Sequence, residues 1–451
     1  MDRILAKTAL LPDGWVSDVT VTVENGRISH VTDGVQDAET RVDVLLPAPT
    51  NLHSHAFQRA MAGLSERRGA DKTDSFWTWR QLMFRFLNQL GPQDIEAITA
   101  QVQMEMLEAG YAAVAEFHYL HHQPGGAPYD ERAAVSQRIC AAADQTGIGL
   151  TLLPVMYMQG GVDGRALGPG QVRFGNDIDG YMRVMDGAQQ AVAALPADAR
   201  LGVAPHSLRA VTPDALRHLQ QFKGPLHMHL AEQVAEVEEI KAAYGARPVT
   251  WALDHLDLGP RWCLIHCTQM TKAEVRGLAH TGAVAGLCPL TESSLGDGIF
   301  DAPEWVAAGG VWGIGSDSNI LISLKEELRT LEYSQRLATR NRAVLATKDR
   351  STGRVLFDAA CQGGAQAAGR DSGAIAPGLW ADLVALGGDA TDFIGRDGDR
   401  LLDTWIFAGT DAAISDVWAA GRHVVRNGAH VARPAITAAY RDTLKRLEDV
   451  M

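Results

Sequence analysis

The stretch NLHSHAFQRA, residues 51–60, sets two histidines one residue apart behind the proline-bounded apolar run LLPAPT. Side chains alternate along an extended chain, so both imidazoles of a His-x-His on a strand point to one face. Two such nitrogens, from His53 and His55, can hold one metal ion at about 2 Å. His229 and Asp317 would complete an N,N,N,O donor set with room left for a water, the pattern of an open catalytic zinc site. Glu232 follows His229 by three residues in HLAE and could reach a substrate nitrogen as a proton shuttle. The same carboxylate would also suit the first turn of the following segment, AEQVAEVEEI, where a helix dipole favours an acid. His266 could hydrogen-bond the water. Its neighbours Cys263 and Cys267 are better explained by a buried strand than by a zinc-binding pair.

These residues recur at one point of a longer pattern. Eight short apolar runs alternate with helix-like segments: LLPAPTNLH, AAVAEFHY (112–119), LTLLPVMY (150–157), LGVAPHS (201–207), PLHMHLAE (225–232), WCLIHC (262–267), AVAGLCP (283–289) and VWGIGSDS (311–318). Between them lie DIEAITAQVQMEMLEAG, VAEVEEIKAAYG and TPDALRHLQQF, the last with Thr212 as cap and Pro213 at the first helical position. Eight such β/α units predict an α/β fold, a (β/α)8 TIM barrel. Six runs end in groups fit for metal or acid–base work: His53/His55, His118, His206, His227/His229 with Glu232, His266, and Asp317. The C-terminal strand ends of such a barrel carry its active site. None of the runs ends in the lysine that a binuclear site often uses as a bridge, so a mononuclear site is expected.

The two ends of the chain read differently. VTVTVENGRISHV (19–31) and DVWAAGRHVVRNGAHV (416–431) alternate around Asn-Gly turns, a hairpin signal. ADLVAL (381–386) and TWIFAG (404–409) read as further short strands. Residues 1–47 and 379–432 are therefore expected to form one small β-sandwich, with 48–378 as the barrel and 433–451 as a C-terminal helix. The chain has 451 residues, 46% hydrophobic and 21% charged, enough for both units. A net charge of −13 without a Lys/Arg-rich run argues against nucleic acid or an anionic membrane as partner. No signal peptide and no apolar run long enough to span a bilayer are visible. Five scattered cysteines (Cys140, Cys263, Cys267, Cys288, Cys361) read as reduced thiols, hence a cytoplasmic protein.

Taken together, the HxH after run one, HxxE after run five, the His after run six and the Asp after run eight resemble the amidohydrolase superfamily in its deaminase branch. GAIAPGLWADLVAL (373–386) resembles that superfamily's return into its small β domain. More closely, the chain is similar over essentially its whole length to the formimidoylglutamate deiminase family. NLHSHAFQRAMAGLSE, SFWTWRQLM, AVAEFHYLHH, HLAEQ, AGLCPLTESSLGDGIF, GIGSDSN and LKEELRTLEYSQRL carry the similarity. One departure is PAPTNLHSH, where the superfamily usually has Gly after the Pro and often Asp before the first His. It affects the lead-in to strand one and not the ligands.

The resemblance implies hydrolysis of N-formimino-L-glutamate to N-formyl-L-glutamate and ammonia, a step of histidine degradation. It implies one divalent metal per chain, zinc or alternatively iron, and a homodimer. A metal-activated water would attack the formimino carbon, with Glu232, His266 and Asp317 as catalytic residues. A small substrate with two carboxylates needs local donors in a protein of this net charge, preferably bidentate arginine. By resemblance the substrate contacts are Gln58, Arg80, Tyr119, His206 and Arg209. Arg80 could instead be a surface or interface cation and Tyr119 a core-edge aromatic. His118, His121 and His122 are read as lining the pocket or bonding locally, and not as a second metal cluster. GGAQAAGR (363–370) lacks the preceding strand of a nucleotide loop. FWTWR, residues 76–80, is read as a lid. The rival readings are a deaminase of a purine, pterin or other cyclic amidine, and a non-catalytic amidohydrolase-like scaffold. The first predicts an aromatic, amide-rich pocket and the second predicts missing ligands.

Overall fold

The computed structural model describes residues 2–66, 76–387 and 391–448. Ser75 of SFWTWRQLM and residues 449–451 of the expected C-terminal helix lie outside the described residues. All eight apolar runs contain barrel strands. The first half of the ring is Thr50–Ser54, Ala113–His118, Gly149–Met156 and a fourth strand in two short pieces, Arg200–Leu201 and Ala204–Pro205. The second half is Leu226–Leu230, Trp262–His266, Val284–Leu287 and Val311–Ile314. Every pairing within the halves is parallel. Two parallel bridges, Val203 to Leu226 and Ser54 to Asp317, join the halves into a closed ring. The strands are buried along nearly their whole length, which is why they read as continuous apolar runs and not as alternating ones.

The two chain ends pair with each other. Asp2–Leu11, Gly14–Glu24, Arg27–Asp33 and Thr40–Pro47 share one eight-stranded mixed sheet with Leu383–Leu386, Ile414–Ala419, Arg422–Arg426 and Ala429–His430. The seam is antiparallel, Thr40–Pro47 against Leu383–Leu386. Ile4, Val19, Val21, Val42, Leu45, Leu383 and Trp418 pack into one core, so the sheet curls over its own inner face. The Asn25-Gly26 turn has φ of 50° and 79°, the left-handed pair that a tight hairpin requires. It meets the far end of the sheet, where a Cβ on Gly26 would lie 2.7 Å from the Ala420 oxygen.

One expected strand is a helix. TWIFAG falls in Asp399–Phe407, an α-helix that buries Leu401, Leu402, Trp405 and Ile406. Their spacing of one, three and one is helical, and the short apolar WIF run hid it. The expected helices form at Pro92–Glu108, Pro213–Leu219 and Val234–Tyr244. Thr212 caps the second by accepting the Ala215 N–H. The C-terminal helix, Arg433–Glu448, packs Ile436 against Ala100 and Met104 of Pro92–Glu108.

Candidate active site

The seam between the first and eighth strands brings together residues that could hold a metal ion. The His55 N–H donates to the Asp317 carbonyl and the Asp317 N–H to the His53 carbonyl, each at 2.9 Å. Asn51 reinforces the seam. Its Nδ2 donates to Ser316 Oγ at 2.7 Å and its Oδ1 accepts the Ser316 N–H at 3.1 Å. Asn319 Nδ2 donates to Ser54 Oγ at 3.1 Å. Asp317 and Asn319 sit at positive φ, 46° and 54°, so the chain turns sharply there to bring the Asp317 carboxylate over the strand end.

The imidazoles are held from behind. His55 Nδ1 lies 2.7 Å from the Phe117 carbonyl and His229 Nδ1 lies 3.1 Å from the His206 carbonyl. A carbonyl only accepts, so both Nδ1 atoms carry the hydrogen and both Nε2 lone pairs face inward. His53 is fully buried, and neither ring nitrogen has a hydrogen-bond partner. Its Nε2 and that of His55 lie 3.5 and 3.3 Å from Asp317 Oδ1. Donor atoms of His53, His55, His229 and Asp317 all fall within 4.8 Å of one another. Burial pushes His53 down to about 3 and lowers His55 and His229 as well. Burial works against the Asp317 carboxylate, but the close approach of His53 and the other imidazoles around it hold it below its ordinary value. Three neutral nitrogens, one carboxylate and orphaned buried nitrogens fit a divalent cation.

Glu232 stands beside this set. The backbone kinks at Ala231, φ 53°, and the N–H groups of Ala231 and Glu232 donate to the Glu236 carboxylate at 3.2 and 2.9 Å. Glu236 is therefore the acid of the helix's first turn, and Glu232 is left to face the pocket. Burial raises the Glu232 carboxyl above its ordinary value, opposed by the charges of His266 and Arg209. Glu232 lies 3.7 Å from His266 Nε2 and 3.9 Å from Arg209 Nη2. His266 Nδ1 bonds Glu292 Oε1 at 3.2 Å, and its Nε2 points toward Asp317 Oδ2 at 3.7 Å. Burial would lower His266, but the carboxylates of Glu232, Glu292 and Asp317 around it raise it well above its ordinary value.

The residues expected to touch substrate converge on the same pocket. Gln58, Arg80, Tyr119, His206 and Arg209 line it together with His55, His229, Glu232, His266 and Asp317; His53 lies buried beneath. Gln58 Nε2 donates to the Tyr119 hydroxyl at 2.9 Å. His206 Nδ1 bonds Ser207 Oγ at 2.9 Å. Arg80, on the helix Phe76–Leu87, donates to the Tyr157 hydroxyl at 2.7 Å. Of the stretch read as a lid, Trp79 and Arg80 line the pocket. His118, His121 and His122 instead bond Ser136, the Val155 carbonyl and the Gly175 carbonyl, at 2.9, 2.9 and 2.7 Å. GGAQAAGR closes the helix Thr352–Ala368, with Gly369 as its cap.

Three features escaped the sequence reading. Glu292 anchors His266 and also accepts the Cys288 N–H at 2.9 Å; it sits one turn into the helix Pro289–Leu295, after the seventh strand. Tyr157 ends the third run, and an aromatic at a strand end reads as core. Cys288 lies with His266 and Asp317 in a second group of potential donors, which shares Asp317 with the first.

The sequence profile of the amidohydrolase family matches residues 44–424, and that described as the formimidoylglutamate deiminase HutF N-terminal domain matches residues 1–40. A formimidoylglutamate deiminase of Pseudomonas aeruginosa is 45% identical over the full length of both chains. An 8-oxoguanine deaminase of the same organism is 30% identical over 83% of each. The crystal structure of an amidohydrolase from Brucella melitensis superimposes with a TM-score of 0.95 at 48% identity, covering 99% of this chain and 100% of that one. A zinc-bound adenosine deaminase from Xanthomonas campestris shares the fold, with a TM-score of 0.83 at 22% identity over 99% and 98% of the two chains. The chain belongs to the amidohydrolase family, as a full-length homologue of formimidoylglutamate deiminase and a hydrolase of C–N bonds.

Proposed function

We propose that the enzyme hydrolyses N-formimino-L-glutamate to N-formyl-L-glutamate and ammonia. It would hold one divalent ion per chain, zinc or iron, on His53, His55, His229 and Asp317. The observation that carries the substrate is the meeting of two guanidiniums, those of Arg80 and Arg209, in the pocket that also holds the metal donors. Two fixed cations in a partly apolar pocket suit a ligand with two carboxylates.

When bound, the ion supplies Lewis acidity and makes a water nucleophilic near neutral pH. Arg80, Arg209 and His206 orient the dicarboxylate so that the formimino carbon faces Glu232. Glu232 accepts a proton from the attacking water and hands it to the nitrogen of the protonated amidine; the added hydroxyl then loses its remaining proton as the carbonyl forms, the C–N bond breaks and ammonia leaves. His266, held by Glu292, directs its Nε2 at the reacting oxygen. Asp317, kept ionised by its imidazole neighbours, accepts a hydrogen bond from the same water.

The pocket's Trp79, Phe84, Tyr119, Tyr157 and Phe174 would also suit a flat ring, the deaminase reading that the 8-oxoguanine deaminase relative makes concrete. Ammonia release separates the two. Metal-replete enzyme is expected to release ammonia rapidly from N-formimino-L-glutamate, and slowly or not at all from N-formimino-L-aspartate, guanine and adenine. Release from guanine or adenine alone would overturn the substrate. The reading implies a place in histidine degradation, in the cytoplasm, as a homodimer. Five buried, unbridged cysteines suit a reducing compartment, and among the described residues no helix is long and apolar enough to cross a membrane.

A further inference from the structure

Tyr157 follows the third barrel strand and lines the pocket, its ring 4.7 Å from that of His206 and 5.6 Å from that of Phe174. Its hydroxyl oxygen accepts two hydrogen bonds, from Arg80 Nη2 at 2.7 Å and from Gln171 Nε2 at 2.9 Å. A guanidinium can only donate. The Gln171 amide is fixed in orientation as well, because its Oε1 accepts the Gly168 N–H at 2.9 Å and so turns the NH2 toward Tyr157. A phenolic oxygen offers two lone pairs and one hydrogen. Both lone pairs are committed, so the hydroxyl can only donate its hydrogen to something else. Among the described residues no protein acceptor takes it.

We propose that Tyr157 donates this hydrogen bond to a substrate carboxylate, making it a specificity-determining residue beside Arg80. The inference rests on the dicarboxylate reading above. Its physical content is polarity. Arg80 and Gln171 together turn the Tyr157 hydroxyl into an obligate donor, so this wall of the pocket favours an acceptor such as a carboxylate oxygen. It disfavours an ammonium, which can only donate. A hydrogen bond to a charged group is among the stronger single contacts a site can offer.

The test is Tyr157→Phe, which removes the donor and keeps the ring. Three substrates are compared: N-formimino-L-glutamate, N-formimino-4-aminobutyrate (no α-carboxylate) and N-formimino-L-2-aminobutyrate (no side-chain carboxylate). The variant should lose about tenfold or more in kcat/KM on N-formimino-L-glutamate. The loss should persist on the analogue that keeps the contacted carboxylate. On the analogue that lacks it, variant and wild type should agree within about twofold. Equal loss on all three substrates, or no loss on any, overturns the inference. If Tyr157→Phe does not fold, Gln171→Glu serves instead. Its carboxylate would take the Tyr157 hydrogen, so the same substrate-dependent loss is expected, and a substrate-independent effect overturns the inference. Wild-type inactivity on N-formimino-L-glutamate would overturn the substrate reading and this inference with it. Wild-type turnover with an unaffected variant would overturn the inference alone.

Discussion

Among the described residues that line the pocket, Glu232 is the one carboxylate outside the candidate metal-donor set, and it lies 3.7 Å from His266. Glu232→Gln keeps the volume and the hydrogen-bonding shape but cannot carry a proton. It should retain its metal and lose about 10²- to 10⁴-fold in turnover, measured as ammonia release alongside metal content. Survival of turnover would remove the shuttle role. Arg209 acts on more than the substrate, because its charge stands 3.9 Å from both Glu232 and Glu236. Burial pushes the Glu232 carboxyl up and Arg209 pulls it back. Arg209→Met should therefore raise it further. Glu232 must be ionised to take a proton, so the acid limb of the kcat/KM profile should move to higher pH while KM for the dicarboxylate rises. An unmoved limb would separate Arg209 from Glu232. The candidate site residues were legible in the sequence for a simple reason: His53 and His55 share a strand face by alternation, and His229, His266 and Asp317 each lie at the end of an apolar run. Glu292 and Tyr157 were not legible. Their roles depend on which atom of a neighbour they meet, and no spacing along the chain encodes that.

The elements were legible wherever burial left a signature. All eight barrel runs stand out because both faces of each strand are covered, whereas TWIFAG gave a three-residue apolar run too short to show its period. The helix Thr352–Ala368 shows how a weak motif can carry a structural constraint. Its Gly363-Gly364 pair recurs in many contexts and told little as sequence. In the fold it lets the helix lie directly on the first and eighth strands, which lead into the candidate metal donors. A Cβ on Gly363 would sit 1.9 Å from the Trp312 carbonyl oxygen, and one on Gly364 would sit 2.5 Å from the Thr50 oxygen. Both contacts are with backbone, so neither can be relieved by a side-chain turn. Gly363→Ala must displace either the helix or the eighth strand, which leads into Asp317 three residues after it ends. Overpacking of this kind costs about 1–3 kcal/mol or more. The variant should show a lower melting temperature and weaker metal retention on dialysis. A stable variant with full metal content would show that the helix can shift without moving the site.

At the scale of the molecule, the small sheet and the barrel are joined by a buried ion network that no local pattern could reveal. Its pairs are 12, 172 and 224 residues apart. Arg370, directly after the long helix, donates Nε and Nη2 to the Asp382 carboxylate at 2.6 and 2.9 Å, and Nη2 to Asp198 Oδ2 at 2.9 Å. Arg422, on the small sheet, donates to both Asp198 oxygens at 2.8 Å. Two guanidiniums thus face two carboxylates, and Asp382 also accepts the Ala420 N–H at 2.7 Å. Such a group is stable only while complete. Replacing it whole by apolar residues could be harmless, but removing one member leaves a buried charge without its partner. Asp198→Asn should therefore cost about 3–5 kcal/mol at pH 7, read from chemical denaturation. The pH dependence has a definite sign. Burial works against the Asp198 carboxylate, but the Arg422 hydrogen bonds and the Arg370 and Arg422 charges hold it below its ordinary 3.8. A carboxylate lowered by folding stabilises fully above its unfolded value and loses that contribution as pH falls through the folded one. Wild type should lose this part of its stability only below about pH 4, and Asp198→Asn should lack it at every pH. The two stability curves should therefore converge in acid and stay apart at neutrality. Parallel curves would mean that the network holds the two units together by packing and not by charge.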